Sequence, residues 1–187
     1  MQKDVAMRFL VACTLALTCL APPAFAALDF GDRAPPFTAQ AALAGQVFEY
    51  SLQKELAKGP VVLYFFPAAF SEGCSIEAHN FAEAIEDFKA LGASVIGVSR
   101  DEIDTQKRFS VSACRGKFTV AADPDQSIMK SYDAVLTLKP EYANRVSYLI
   151  TPDGVVAYQY TSLNSDKHVE KVLGALRQWA QRKAAAK

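Results

Sequence analysis

The chain of 187 residues has four cysteines, two histidines and one tryptophan, and each scarcity excludes a class of chemistry. With only His79 and His168, and no Cys-x-x-Cys pair, no ligand set stands at the spacing of a zinc site. Haem attachment through Cys-x-x-Cys-His is missing for the same reason. No glycine-rich loop follows an apolar strand, so no phosphate or dinucleotide cradle is expected. An excess of one charge is absent too, since 20 basic residues face 20 acidic ones. Such a balance leaves no electrostatic footprint for nucleic acid. What remains is chemistry without cofactor or metal, carried by side chains alone.

The first 26 residues differ from the rest. Lys3 and Arg8 give a positive start, Phe9 to Ala21 form an apolar run, and Ala24-Phe25-Ala26 supplies a small-x-small cleavage site. The run of 13 residues falls short of the roughly 20 needed to cross a bilayer, so a removed signal peptide is expected in place of a stable membrane anchor. Leu10-Val-Ala-Cys13 has the look of a lipid-attachment box but lies at the front of the apolar run. No twin arginine precedes the run, which makes export of the unfolded chain to a bacterial periplasm the expectation. Cleavage would take away Lys3, Arg8 and Asp4, leaving 18 basic and 19 acidic side chains, a net charge of −1. It would also take away Cys13 and Cys19, leaving only Cys74 and Cys114. Two thiols in an exported chain tend toward oxidation unless a dedicated reductant intervenes.

From residue 27 to residue 187 no repeat or linker interrupts the pattern, and one domain is expected. Asp32 to Phe37, with Pro35 and Pro36, reads as extended, and Val47 to Leu52 as a short strand. Val61-Val-Leu-Tyr-Phe-Phe66 is a continuous apolar run between Pro60 and Pro67, as in a central strand covered on both faces. A helix from about Cys74 to Leu91 follows, with Ile76, Phe81, Ile85 and Phe88 as its apolar stripe and Gly92 as its stop. Ser94 to Ser99 is the next strand, Ile103 to Cys114 the next helix, and Phe118 to Ala121 another strand. Asp123-Pro-Asp125 opens a brief helix. Arg145 to Ile150 and Val155 to Tyr160 flank Thr151-Pro-Asp-Gly154, which predicts an antiparallel hairpin. The final helix runs from about Asp166 to Gln181, with Val169, Val172, Leu173, Leu176 and Trp179 on one face.

Cys74 stands where a buried strand turns into a helix. The unpaired backbone N–H groups of a first helical turn and the positive end of the macrodipole favour thiolate over thiol there. The thiolate is the attacking species, provided it is reachable and not sealed in apolar surroundings. Gly73 permits close backbone approach to a small substrate, and Pro67, which lacks an N–H, can wall a pocket without competing for it.

The segment Pro67-Ala-Ala-Phe-Ser71-Glu-Gly-Cys74 resembles the Pro-x-x-x-Thr/Ser-x-x-Cys loop of the peroxiredoxins, and Ser75-Ile-Glu77-Ala resembles their bacterioferritin-comigratory, or Q-type, branch. The resemblance covers about Asp29 to Arg182. It implies a thioredoxin-like three-layer α/β fold with a central mixed sheet, in agreement with the order of strands and helices. It also implies an antioxidant enzyme that reduces hydrogen peroxide and organic hydroperoxides through a sulfenic acid at Cys74, recycled by a thioredoxin-like donor. In that resemblance Ser71 supplies the hydroxyl that contacts thiolate and peroxide, Arg145 matches the arginine at the start of a later strand, and Glu77 orients Arg145 or the loop. A guanidinium keeps its proton and presents donors in fixed geometry, which suits holding a thiolate and polarising the O–O bond. Phe66 and Phe70 are candidate pocket walls, and monomer is the expected state.

The chain departs from many Q-type relatives at the position five residues after the nucleophile, where they carry the resolving cysteine and this chain carries His79. Cys114 is the remaining internal candidate. An internal Cys74–Cys114 disulfide, direct reduction by an external thiol and an intermolecular bridge all stay open. His79 reads as a solvated or capping neighbour and His168 as a surface residue. Two other classes share the cysteine count: a thioredoxin-like thiol–disulfide exchanger, which normally requires Cys-x-x-Cys where residue 77 here is Glu, and a non-catalytic domain stapled by a disulfide.

Overall fold

The computed structural model describes residues 27–185; the expected signal peptide lies outside the described residues. Among the described residues, seven strands form one mixed sheet. They are β1 (Thr38–Leu43), β2 (Gln46–Ser51), β3 (Val61–Phe65), β4 (Ser94–Ser99), β5 (Thr119–Ala122), β6 (Val146–Ile150) and β7 (Val156–Thr161), in the spatial order β2-β1-β5-β4-β3-β6-β7. β3 lies parallel to β4 and antiparallel to β6, and β4 lies parallel to β5. The helices are α1 (Leu52–Leu56), α2 (Glu72–Ala90), α3 (Ile103–Ser112), α4 (Ser127–Ser131) and α5 (His168–Ala185), the last preceded by a 3-10 turn over Ser165–Lys167.

The period-2 alternation of a strand divides β3 between two cores. Val61, Leu63 and Phe65 face a cluster with Leu52, Leu56, Ile96, Tyr132 and Tyr148. Val62, Tyr64 and Phe66 face one with Phe81, Phe88, Phe109, Leu149 and Leu176. The sheet is therefore covered on both sides, with α2, α3 and α5 on one face and α1 and α4 on the other, which is the thioredoxin-like layering. Every β3 residue is buried, and this is why the segment reads as an unbroken apolar run. Phe81, fully buried, stacks on Tyr64 at 4.4 Å between ring centroids; truncating such a ring costs about 3–5 kcal/mol.

α2 stops for a local reason. Gly92 adopts φ 73°, its N–H bonds Lys89 O at 2.8 Å, and the N–H of Ala93 bonds Phe88 O at 2.9 Å. This Schellman closure satisfies the last carbonyls. The apolar stripe of α2 is Cys74, Ala78, Phe81, Ala82, Ile85 and Phe88; Ile76, expected within it, is 43% exposed because it lies on the opposite face.

Two elements were not anticipated. β1 pairs with β2 across a two-residue turn in which Ala44 and Gly45 both have positive φ, 49° and 79°, the geometry that matches strand twist in a tight hairpin. α1 is a single short turn of helix after Ser51. The β6–β7 hairpin forms as expected around Gly154, whose φ is 77°.

Candidate active site

α2 begins at Glu72 with Ser71 as its N-cap, so Cys74 is the third helical residue, inside the turn whose N–H groups lack intrahelical acceptors. The segment before it, residues 67–73, is exposed or half-buried throughout, whereas Cys74 itself is 1% exposed and joins the apolar cluster on that face of the sheet. This is more enclosed than the open sulfur expected. The enclosure is not wholly apolar, because Arg145, at the edge of β6, reaches across and Nη2 donates to the sulfur at 3.4 Å.

Arg145 is held from three sides. Its Nη1 donates to Glu77 Oε2, Nε donates to Leu163 O at 3.2 Å, and its backbone N–H donates to Asn144 Oδ1 at 2.9 Å. Both partners of the Arg145–Glu77 pair are buried. Burial opposes charge on the guanidinium, but Glu77 and the Cys74 sulfur outweigh it and hold Arg145 protonated above its ordinary range. A guanidinium offers five N–H donors, of which three are thus engaged, so one on each terminal nitrogen is free for a substrate oxygen. Gly73 packs closely against this group: a Cβ there would stand 3.3 Å from Arg145 Nη2, which would have to give by a few tenths of an ångström.

Among the other expected site residues, Pro67 follows β3 as a half-buried loop residue. The Ser71 hydroxyl donates to Ala68 O at 3.0 Å and is exposed, so it braces the loop. Phe66 is fully buried and stacks on Phe109 at 5.5 Å; Phe70, half-exposed with φ 63°, meets Phe109 edge-on at 5.3 Å. A bulky residue at positive φ is a strained position of the kind found at functional loops.

Cys114 lies two residues beyond the end of α3, in the turn after it and not in the helix itself. It is free, fully buried and in the same cluster as Cys74, which is also free. Burial pushes its thiol far above the ordinary range.

Two features escaped the sequence. His168, expected at the surface, is fully buried beneath the site: Nε2 contacts Ser162 O at 2.8 Å, Nδ1 contacts Ser147 Oγ at 2.8 Å, and Nδ1 lies 3.6 Å from Glu77 Oε1. Asp101 clamps the loop, its Oδ2 accepting from the Ala69 N–H and from Ser99 Oγ, each at 2.7 Å. Gln106 continues that chain by donating to Ser99 Oγ at 2.7 Å. The Ser99-Arg-Asp101 run at the end of a strand was the available signal for the clamp.

The family model of the AhpC/TSA family matches residues 30–159. Chloroplastic peroxiredoxin Q of Sedum lineare is 32% identical over 153 residues, which are 81% of this chain and 80% of that protein. Chloroplastic peroxiredoxin Q of Oryza sativa subsp. japonica is 33% identical over 118 residues, 63% of this chain and 54% of that longer protein. Peroxidoxin BcpB of Mycobacterium tuberculosis superposes with a TM-score of 0.72 at 27% identity, over 80% of this chain and 96% of its own. The family match takes in Cys74 and Arg145 together, and the chain belongs to the AhpC/TSA family as a peroxiredoxin of the Q type, a thiol-dependent peroxidase.

Proposed function

We propose that Cys74 is the nucleophile of this thiol-dependent peroxidase and that its substrates are hydrogen peroxide and organic hydroperoxides. The observation that carries this reading is the 3.4 Å contact from Arg145 Nη2 to a sulfur in the first turn of α2. The Cys74 thiolate attacks one peroxide oxygen; an S–O bond forms and the O–O bond breaks. The departing oxygen takes a proton from solvent and leaves as water or alcohol, and Cys74 is left as a sulfenic acid. The two free N–H groups of Arg145 meet the charge that grows on the departing oxygen. The Ser71 hydroxyl turns from Ala68 O to the bound peroxide, Glu77 fixes the guanidinium, and Pro67 walls the entrance.

Cys114 is the resolver in this reading. Its thiol attacks the sulfenic sulfur, an S–S bond forms, water leaves, and a thioredoxin-like dithiol then reduces the bridge by exchange. Because burial holds Cys114 as a thiol, local opening of the turn after α3 must come first. The reading includes cleavage after Ala26 and export to a bacterial periplasm, supported by the pattern of residues 1–26, and a monomeric state, which the resemblance to Q-type relatives implies.

Consumption of hydroperoxide with excess dithiol tests the nucleophile: turnover is lost in Cys74→Ser, and persistence of turnover in that variant overturns the assignment. Mass spectrometry after one equivalent of peroxide tests the resolver. Loss of two hydrogens marks an internal disulfide, and gain of one oxygen marks a sulfenate awaiting an external thiol.

A further inference from the structure

Arg145 is aimed in part by a loop that packing does little to hold. The Leu163 carbonyl, which accepts from Arg145 Nε at 3.2 Å, belongs to the segment between β7 and the 3-10 turn, and the Leu163 side chain is 64% exposed. The segment also closes back on the same arginine, because the Ser162 N–H donates to Arg145 O at 3.2 Å. The Ser162 carbonyl, which shares a peptide plane with the Leu163 N–H, faces Nε2 of His168 at 2.8 Å. One ring atom thus pins the middle of a loop tied on either side to Arg145.

His168 is held in that place from every direction. It is fully buried at the start of α5, and the Tyr160 ring meets it edge-on at 4.8 Å. The Ser162 carbonyl only accepts, so Nε2 carries the hydrogen. Burial lowers the imidazole to about 4, which keeps the ring neutral at neutral pH and leaves Nδ1 bare. The Ser147 hydroxyl, at 2.8 Å, donates to that nitrogen. Both ring nitrogens are then satisfied, and Glu77 Oε1, at 3.6 Å, lies beyond hydrogen-bond reach. Ser147 stands two residues after Arg145, on the same face by the period of a strand. The imidazole therefore bridges the strand that follows Arg145 and the loop that orients its side chain.

We propose that His168 is a positioning residue for the peroxide reaction: its Nε2–H fixes the Ser162 carbonyl, so that the Leu163 carbonyl holds the Arg145 guanidinium in the orientation that serves the Cys74 sulfur. The role is orientation through hydrogen bonds and not proton transfer. It rests on Cys74 and Arg145 being the working pair. Two carboxamide replacements divide the functions of the ring. Glutamine brings a donor near the place of Nε2, whereas asparagine, one carbon shorter, keeps an acceptor near the place of Nδ1 for Ser147 and leaves Ser162 O without a donor.

Stopped-flow kinetics and nitrogen NMR of the full-length protein test this together. The rate constant for hydrogen peroxide is expected to stay within about threefold in His168→Gln and to fall about tenfold in His168→Asn, since a displacement of 1 Å costs about a hundredfold. The Arg145 Nε–H signal is expected to exchange slowly with water in the unmutated protein and in His168→Gln, and rapidly in His168→Asn. Equal rates in the two variants, or an Arg145 signal as protected in His168→Asn as before, overturn the proposal. If neither variant folds, ring-nitrogen NMR of the unmutated protein decides: the hydrogen of a neutral His168 is expected on Nε2, and a hydrogen on Nδ1 overturns the proposal. Peroxide turnover that survives in Cys74→Ser would instead sink the nucleophile assignment and leave the Arg145 signal as a separate result.

Discussion

A methyl group on Gly73 would sit 3.3 Å from Nη2 of Arg145, the nitrogen that donates to the Cys74 sulfur. Gly73→Ala therefore shifts the guanidinium by a few tenths of an ångström while giving α2 a better helix former in its first turn. The rate constant for peroxide is expected to fall by about tenfold, since misplacement by 1 Å costs about a hundredfold. The denaturation midpoint is expected to hold or rise. Stopped-flow kinetics beside urea unfolding separates the two effects.

Arg145→Lys is not a mild change. A lysine ammonium cannot reach the sulfur, Glu77 and the Leu163 carbonyl at once in the planar arrangement that the guanidinium satisfies. The expected loss in the peroxide rate is about a hundredfold to a thousandfold, the range for removing one well-placed donor from a transition state. Circular dichroism should show the fold intact.

Asp101 holds the loop from a distance. In Asp101→Ala the Ala69 N–H loses its acceptor at 2.7 Å and Ser99 Oγ loses its own. The expected destabilisation is about 1–3 kcal/mol, with faster hydrogen exchange at Ala69. Asp101→Asn, which keeps an oxygen at that place, is expected to recover most of both.

The buried pair gives stability a pH signature. Glu77 has its folded pKa raised from 4.5 to about 8, so its contribution is complete below 4.5 and is lost as pH rises toward 8. His168 has its folded value lowered from 6.5 to about 4, so its contribution is complete above 6.5 and is lost as pH falls toward 4. Between 4.5 and 6.5 the slopes oppose each other, and between 6.5 and 8 that of Glu77 stands alone. Unfolding free energy is expected to decline in that upper window by at most about 1.4 kcal/mol per pH unit. The decline should flatten in Glu77→Gln, as urea titrations across pH would measure.

What the sequence made legible follows from how locally each feature is encoded. β4 was read at its true ends, Ser94 and Ser99, because six residues carrying Val95, Ile96 and Val98 are too few for a buried helix and rich in β-branched side chains. β1 was missed because Thr-Ala-Gln-Ala-Ala-Leu is alanine-rich and its turn places Ala44, an uncommon residue at positive φ, beside Gly45. Arg145 came from resemblance to a family motif, since nothing in the pattern of a strand says that its first side chain will cross to another helix. His168 was misjudged because Asp166 and Lys167 beside it are exposed, while its own burial is decided by β6 and β7, far away in sequence. Its contact with Ser147 of β6 is tertiary in the same sense.

Selective alkylation tests the central claim most directly. In the reduced, folded protein at neutral pH, iodoacetamide is expected to label Cys74 and spare Cys114, and one equivalent of hydrogen peroxide added beforehand is expected to abolish that label. If both cysteines resist until denaturant is added, or if peroxide leaves the labelling of Cys74 unchanged, the account of this site is contradicted.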